Sequence, residues 1–419
     1  EANVEHRVPV RPETVFQSGS LGKQFAAAAI QLLAADGKLP IDDPVARWLA
    51  PVPATWNDIT IRHLLTHTSG IREFENGTDP AQIDLRRDYT EAELVERARG
   101  LALDFEPGTQ WNYSNTGYLL LGAIIRRASG RFYGDVLAER VFTPLGMTTT
   151  RVISESDIVA NRAAGYRLVD GVLMNQEWVS PSLNTTADGS LYLTMRDLIQ
   201  WDRGLREASV LDREQLAAAW TPVKLAGGDS YPYGFGWFIA EQRGRRSIEH
   251  SGSWQGFESQ IVRLVDDDLS VMLLANLAKA DLKRIARTVA GIVDASLALP
   301  DPTKRADDPD PSRSARTRDA LRAWSEGTAS PAMTDGFARV RDTSPRTSWF
   351  RQRVKEALAA QTLFHYVAED DVRGRGIERF GSPVATILYL GLETPGETDR
   401  VVAYLDQSGA VAALSAKGF

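Results

Sequence analysis

Apolar residues recur along the first half of this chain with the period of helices and, further on, with that of strands. Leu21, Phe25, Ala28, Ala29 and Leu32 fall at i, i+4, i+7, i+8 and i+11, one face of a helix that Gly37 stops. The alanines around them add little bulk on any side, so this helix is expected at the centre of the fold. A second helix is predicted from Ile61 to about His67, with Thr60 as its N-cap and Ser69-Gly70 as its stop. Tyr118 to Arg127, Arg131 to Phe142 (set apart by Gly130) and Thr194 to Trp201 carry the same period. From Tyr233 the pattern changes to short β-rich runs: Gly234 to Ala240, Ser247 to His250, Phe257 to Val265 and Leu269 to Ala275. Connections as short as Asp266-Asp267-Asp268 favour an antiparallel meander. A helix from Asp281 to about Leu297 is expected to pack on it through Leu282, Ile285, Val289 and Val293.

Residues 299–314 are proline-rich and charged, without apolar periodicity, and read as a linker between a domain over 1–298 and a smaller one over 315–419. In the latter, Ala315 to Trp324 and Trp349 to Ala359 are predicted helices. Leu363 to Ala368, Val384 to Leu392, Val401 to Leu405 and Val411 to Leu414 are predicted strands. The expected class is therefore α+β: an antiparallel sheet flanked by helices with a helical subdomain, plus a small C-terminal α+β domain of cystatin or NTF2-like shape. The length, 419 residues, suits more than one core.

Composition excludes several functions. The net charge of -7 is spread along the chain, which gives no footprint for nucleic acid or an anionic membrane surface. No apolar run is long enough for a transmembrane segment. Without cysteine there is no disulfide, no thiol nucleophile and no thiolate metal site. The chain opens at Glu1 in a polar stretch, as it would after a leader had been cleaved. A periplasmic or secreted location is expected, and a cytoplasmic one stays open.

Three short motifs carry chemistry. Ser20-Leu21-Gly22-Lys23 opens the alanine-rich helix, where i and i+3 share a face and free backbone N–H groups favour negative charge. A serine hydroxyl needs a neighbouring base and donors for the oxyanion to act as a nucleophile. Ser-x-x-Lys arises by chance roughly once or twice in a chain of this length, as a helix cap beside a solvated lysine. The almost wholly apolar surroundings of Lys23 argue against the solvated alternative. Tyr113-Ser114-Asn115 lies in a polar turn before an apolar helix, either as turn chemistry with Asn115 or Thr116 as the cap, or as a proton relay (Tyr113) and a carbonyl ligand (Asn115). His250-Ser251-Gly252 sits at a strand end, where glycine admits a close backbone approach. Trp178, Tyr192, Trp237 and Trp254 are core candidates before they are candidates for an acyl pocket.

Together the motifs resemble the serine β-lactamase and penicillin-binding protein family, in its branch of class C β-lactamases, D-peptidases and related esterases. Thr14 to Ser20, Leu64 to Gly70, Glu106 to Thr109 and Pro144 to Met147 resemble it too, so the likeness runs from about residue 10 to 297. It implies Ser20 as nucleophile, Lys23 as its base, Tyr113 as proton shuttle, Asn115 as substrate ligand, and His250 in the place of the usual third-motif lysine. Gly252 would border the substrate, and the N–H groups of Ser20 and Ser253 would form the oxyanion hole. No metal or cofactor is implied, and His67 is assigned to a structural loop.

The partner implied is a small-molecule or peptide acyl substrate, with the oligomeric state left open. Histidine at 250 shifts the expectation from β-lactams toward esters and D-amino-acid amides or peptides, since a neutral imidazole holds a carboxylate less strongly than a permanent cation. A β-lactamase, a penicillin-binding sensor without turnover, and acyl transfer to an amine stay as alternatives. The family carries a helix and strands before the nucleophile, whereas 19 residues precede Ser20. Those strands are expected to lie outside this chain, or another element to cover the sheet edge. Pocket shape is expected to depend on the loops Thr78 to Thr90 and Asn175 to Ser190.

Overall fold

The computed structural model describes residues 1–74, 82–339, 351–352, 354–358, 364–394 and 397–416. Two compact units divide the chain. One comprises Glu1–Thr221, Tyr233–Ile239 and Ile248–Ala286; the other comprises Pro222–Pro232, Ala240–Ser247 and Arg287–Phe419.

In the first unit a 3₁₀ turn, Gly19–Gly22, leads into α1 (Lys23–Ala35), which is buried over most of its length. Alanine gives this helix high propensity and lets its neighbours approach on every side. Around it lie α2 (Val45–Leu49), α3 (Ile61–Leu65), α4 (Glu91–Gly100), α5 (Asn115–Ser129), α6 (Tyr133–Leu137), α7 (Thr143–Leu145), α8 (Met195–Glu207) and α9 (Arg213–Ala219). Thr60 caps α3, as predicted, and the structure adds a capping box with His63. Gly130, at φ +73°, ends α5 and separates it from α6. Phe25 of α1 packs 4.4 Å from Trp201 and 5.6 Å from Phe142, centroid to centroid, tying the helices to one core.

Short strands follow in chain order: β1 (Phe16–Gln17), β2 (Arg151–Val152), the hairpin β3 (Tyr166–Val169) and β4 (Val172–Asn175), and β5 (Leu191–Leu193), which pairs with β1 and β2. The ribbon β6 (Val223–Lys224) and β7 (Ser230–Tyr231) belongs to the second unit. The expected meander is β8 (Phe238–Gln242), β9 (Arg245–Trp254), β10 (Phe257–Leu264) and β11 (Leu269–Ala275), in the order β11-β10-β9-β8. Central β10 is buried along nearly its whole length, so its polar residues need partners. Arg263 donates to Asp202 at 2.6 Å, and Ser259 donates to the Ser18 carbonyl at 2.6 Å.

The helix after the meander, α10 (Leu282–Val293), corrects one expectation. Its buried face is Leu282, Ala286 and Ala290, whereas Ile285 and Val293 are exposed. The segment carries two apolar stripes, and the one with alanines permits the closer approach.

In the second unit, residues 301–310 hold no helix or strand, and α11 (Pro311–Glu326) starts with Asp310 as its cap and proline in its first turn. After α12 (Asp335–Arg339), the helix predicted over 349–359 lies partly outside the described residues; the described ones, 351–352 and 354–358, are helical. Strands β12 (Phe364–Asp371), β15 (Thr386–Thr394), β16 (Glu397–Leu405) and β17 (Val411–Ala416) form an antiparallel sheet in that order. A ribbon, β13 (Glu378–Arg379) and β14 (Ser382–Pro383), falls between β12 and β15. Both phases of the strand alternation are apolar. Leu388, Leu390 and Val401 join Leu321 and Val354 on one side, while Ile387, Tyr389 and Tyr404 join Val372 and Val384 on the other. Among the described residues no helix is long and apolar enough to cross a membrane.

Candidate active site

Ser20 lies within the 3₁₀ turn, one residue-triplet before Lys23 begins α1. Three residues per turn bring i and i+3 into line more directly than an α-helix does. The Lys23 side chain is fully buried and its Nζ donates to Ser20 Oγ at 3.1 Å. It also donates to Asn115 Oδ1 at 2.7 Å and to the Asp188 carbonyl oxygen. An ammonium has three N–H donors, and these three oxygens take one each.

The second motif differs locally from its prediction. Ser114, not Asn115 or Thr116, is the N-cap of α5, accepting the Gly117 N–H at 3.1 Å. Asn115 thereby becomes the first helical residue, and its side chain is left for Lys23. Tyr113 presents its ring to the same lysine, with Nζ 4.9 Å from the centroid. Beneath this turn, His67 accepts the Ser114 N–H at Nδ1, 3.0 Å away, and its ring packs 4.3 Å from Tyr113 and 4.6 Å from Tyr233. His67 is thus a scaffold for the second motif, as assigned from sequence. Tyr118 underlies it as well, with its hydroxyl donating to Leu65 O at 2.8 Å and pushed well up in pKa by burial.

His250, on β9, is buried, with its ring 6.2 Å from that of Tyr113. Its Nδ1 lies 2.6 Å from the Ser251 carbonyl oxygen, which can only accept, so Nδ1 carries the proton. In the neutral ring Nε2 is then an acceptor, and the Tyr233 hydroxyl donates to it at 3.2 Å.

Three glycines let the backbones of the site meet. A methyl group on Gly252 would fall 1.9 Å from Ser18 O and 2.8 Å from Leu21 N. On Gly19, at φ +51°, it would fall 2.5 Å from Ser253 N, and on Gly189 it would fall 2.5 Å from Gly19 O. The nucleophile turn is thus wedged between β9 and the 188–190 segment, with the Ser253 backbone beside it. The Ser253 hydroxyl is engaged by Glu258 at 2.8 Å. Ser18 locks the wedge from within, donating to Gly189 O at 2.7 Å and accepting the Leu191 N–H at 3.2 Å.

The structure thus brings Ser20, Lys23 and Asn115 into direct hydrogen bonding and places Tyr113, His250, Gly252 and Ser253 around them. Sequence reasoning missed Ser18, Tyr233, Ser259, Glu73 and Asp188. Glu73 accepts the Asn115 N–H at 2.6 Å and the Phe74 N–H at 3.0 Å. Burial raises its pKa, against the opposing pull of the Asn115 N–H and of Lys23. Its one signal was its place three residues beyond the Leu64 to Gly70 stretch; Asp188 had only its glycine neighbour. Of the aromatic candidates, Tyr192 and Trp237 are core, Trp178 is 59% exposed, and Trp254 donates from Nε1 to Asn184 at 2.7 Å. Part of the 78–90 loop lies outside the described residues.

Comparison with known proteins matches residues 2–294 to the model of the Beta-lactamase family. Penicillin-binding protein 4* of Bacillus subtilis (strain 168) is 32% identical over 292 residues, which cover 66% of this chain and 63% of that protein. D-aminopeptidase of Gluconobacter oxydans (strain 621H) is 26% identical over 282 residues, 66% of this chain and 52% of that one. The chain therefore spans less than two thirds of the length of either relative. Among solved structures, a D-stereospecific amidohydrolase from Streptomyces sp. is 27% identical with a TM-score of 0.57, covering 66% of this chain and 86% of its own.

Proposed function

The chain belongs to the Beta-lactamase family, and on that footing we propose that it is a serine hydrolase working through an acyl-enzyme at Ser20, on esters or on D-amino-acid amides and peptides. The observation that carries this is the lysine joining Ser20 Oγ and Asn115 Oδ1 in a buried, glycine-lined turn. Lys23 enters as the amine and takes the Ser20 proton while Oγ bonds to the substrate carbonyl carbon. The negative charge on the carbonyl oxygen is received by the N–H groups of Ser20 and Ser253. As the bond to the leaving alcohol or amine breaks, the proton passes to it by way of Tyr113. Water then adds to the acyl carbon, Tyr113 takes its proton, and a proton returns through Lys23 to Ser20 Oγ as the Oγ–carbon bond breaks and the free acid is released. Asn115 orients the substrate, and His250, held by Tyr233, supports Tyr113.

Histidine at 250, in the place of a lysine, favours this range over β-lactams, because a neutral imidazole holds a substrate carboxylate less strongly than a permanent cation. The relatives named as a D-aminopeptidase and a D-stereospecific amidohydrolase support the amide side of it. Intact mass after fluorophosphonate treatment tests the proposal. One adduct is expected, absent from Ser20→Ala; an adduct that survives this substitution overturns it. Hydrolysis of a short-chain ester but not of a chromogenic cephalosporin is the expected selectivity. A penicillin adduct that never hydrolyses would point instead to a binding protein.

A further inference from the structure

The nucleophile turn is held between two walls, β9 and the 188–190 segment, and a pair of side chains joins those walls to each other. Trp254, the last residue of β9, directly follows Ser253. Asn184 lies on the 3₁₀ turn Pro181–Thr185, just ahead of the Asp188 carbonyl that holds Lys23. The Trp254 Nε1–H donates to Asn184 Oδ1 at 2.7 Å, and Asn184 Nδ2 donates in turn to Glu155 Oε1 at 3.0 Å. An indole N–H only donates and a carboxylate only accepts, so the amide has one orientation and a flip would break both bonds. Asn184 is fully buried, so a broken bond leaves a polar group without water. The Trp254 ring packs on Val15, Ile153 and Tyr192, which fixes the indole and the end of β9 with it. The facing turn is less confined. Leu183 anchors it in the core, but Pro181, Ser182 and Thr185 border a cavity of about 660 Å³. Packing therefore leaves the turn room to recede from β9, and the Asn184 bond opposes that movement.

We infer that Trp254, Asn184 and Glu155 are positioning residues for the Ser20 reaction, forming a latch that sets the spacing of the two walls. The inference rests on the acyl-enzyme reading and on the Ser253 N–H as one of its oxyanion donors. With the latch closed, that N–H and the Asp188 carbonyl keep their places on either side of the nucleophile turn. With it open, the 181–185 turn shifts toward the cavity and draws Asp188 away from Lys23, while Trp254 no longer holds the end of β9 against it. The oxyanion donor and the lysine then lose register with Ser20 Oγ. Donors act on the transition state only when they are already in place, so the latch governs the rate of attack more than the binding that precedes it.

Saturation kinetics of fluorophosphonate labelling, read by intact mass on the full chain, separate binding (KI) from reaction (kinact). Trp254→Phe keeps a ring in the apolar cluster and removes the N–H; Asn184→Ala removes both bonds. A displacement of about 1 Å costs about 100-fold in rate, so kinact is expected to fall about 10- to 100-fold in each variant, with KI within about twofold of wild type. The double variant is expected to fall no further than Asn184→Ala, because the two residues act through one contact. Glu155→Ala alters a part-exposed carboxylate and frees the Asn184 amide, so kinact is expected to fall at least about threefold. It decides the matter if a core variant does not fold. A wild-type kinact in any folded variant overturns the inference and leaves the acyl-enzyme reading standing. A loss carried by KI alone, or losses that multiply in the double variant, make these residues merely structural and overturn it likewise. If fluorophosphonate does not label Ser20 of the wild-type chain, both fall.

Discussion

Gly252→Ala tests the wedge that places the third motif against the nucleophile. The added methyl group would sit 1.9 Å from Ser18 O, 2.5 Å from Ser259 Oγ and 2.8 Å from Leu21 N. Two of these atoms are backbone of the nucleophile turn, so no side-chain rotation relieves the clash. A carbon needs about 3.3 Å from a carbonyl oxygen, so β9 and the turn must separate by about 1.4 Å. Overpacking of this kind costs about 1 to 3 kcal/mol, or a fall in Tm of about 2 to 4 °C per kcal/mol for a unit of this size. The effect on chemistry is larger in proportion, since a misplacement of about 1 Å costs about 100-fold in rate. The assay is the second-order rate of fluorophosphonate labelling by intact mass, beside thermal unfolding. Labelling is expected to fall at least about 100-fold in a protein that still unfolds cooperatively. As a control, Gly146→Ala meets nothing within 4 Å at φ +68°, so it costs only about 1 to 2 kcal/mol of backbone strain and leaves labelling unchanged. If Gly252→Ala labels within about threefold of the wild type, β9 does not abut the turn and the geometry of the oxyanion hole is refuted.

Other substitutions probe the frame. Ser259→Ala removes the buried bond to Ser18 O and is expected to cost about 1 to 3 kcal/mol by urea unfolding; an unchanged midpoint would mean β10 and the nucleophile turn are held otherwise. Asp202 is nearly buried, and although burial alone would raise its pKa, Arg263, with hydrogen bonds from Ser270, Arg263 and Arg206, holds it below the usual carboxylate value. Its contribution is therefore present above the unfolded carboxylate pKa of about 3.9 and lost as pH falls through the lowered folded value. Asp202→Asn should cost about 3 to 5 kcal/mol at neutral pH, with the gap to wild type closing in acid; a pH-independent gap would contradict the linkage. In the second unit Arg379 pairs with buried Glu241 and lies 4.6 Å over the Tyr404 ring. Arg379→Ala should lower stability by about 3 to 5 kcal/mol in calorimetry, because it removes the guanidinium paired with a buried carboxylate, and a shift below about 1 kcal/mol would show the pair to be solvated.

What the sequence determined by itself was whatever depends on rotation per residue. The alanine-rich segment could only be a buried helix, and Ser20 and Lys23, three residues apart, had to share a side whether the turn was α or 3₁₀. The meander, its Asp266 to Asp268 turn and the Thr60 cap were local in the same sense. Tertiary structure decided what local rules leave degenerate. Ser114 and Asn115 are both good caps, and only the lysine 92 residues away makes Asn115 the one that turns inward. Helix α10 carries two apolar stripes, and the stripe with alanines is the one buried. Glu73 and Asp188 looked like ordinary loop acids. Glu73 takes the Asn115 N–H and Asp188 gives its backbone carbonyl to Lys23, from positions 50 and 165 residues beyond that lysine. Charge and close packing act through space, and the pairs they join are fixed only when the whole chain has folded around them.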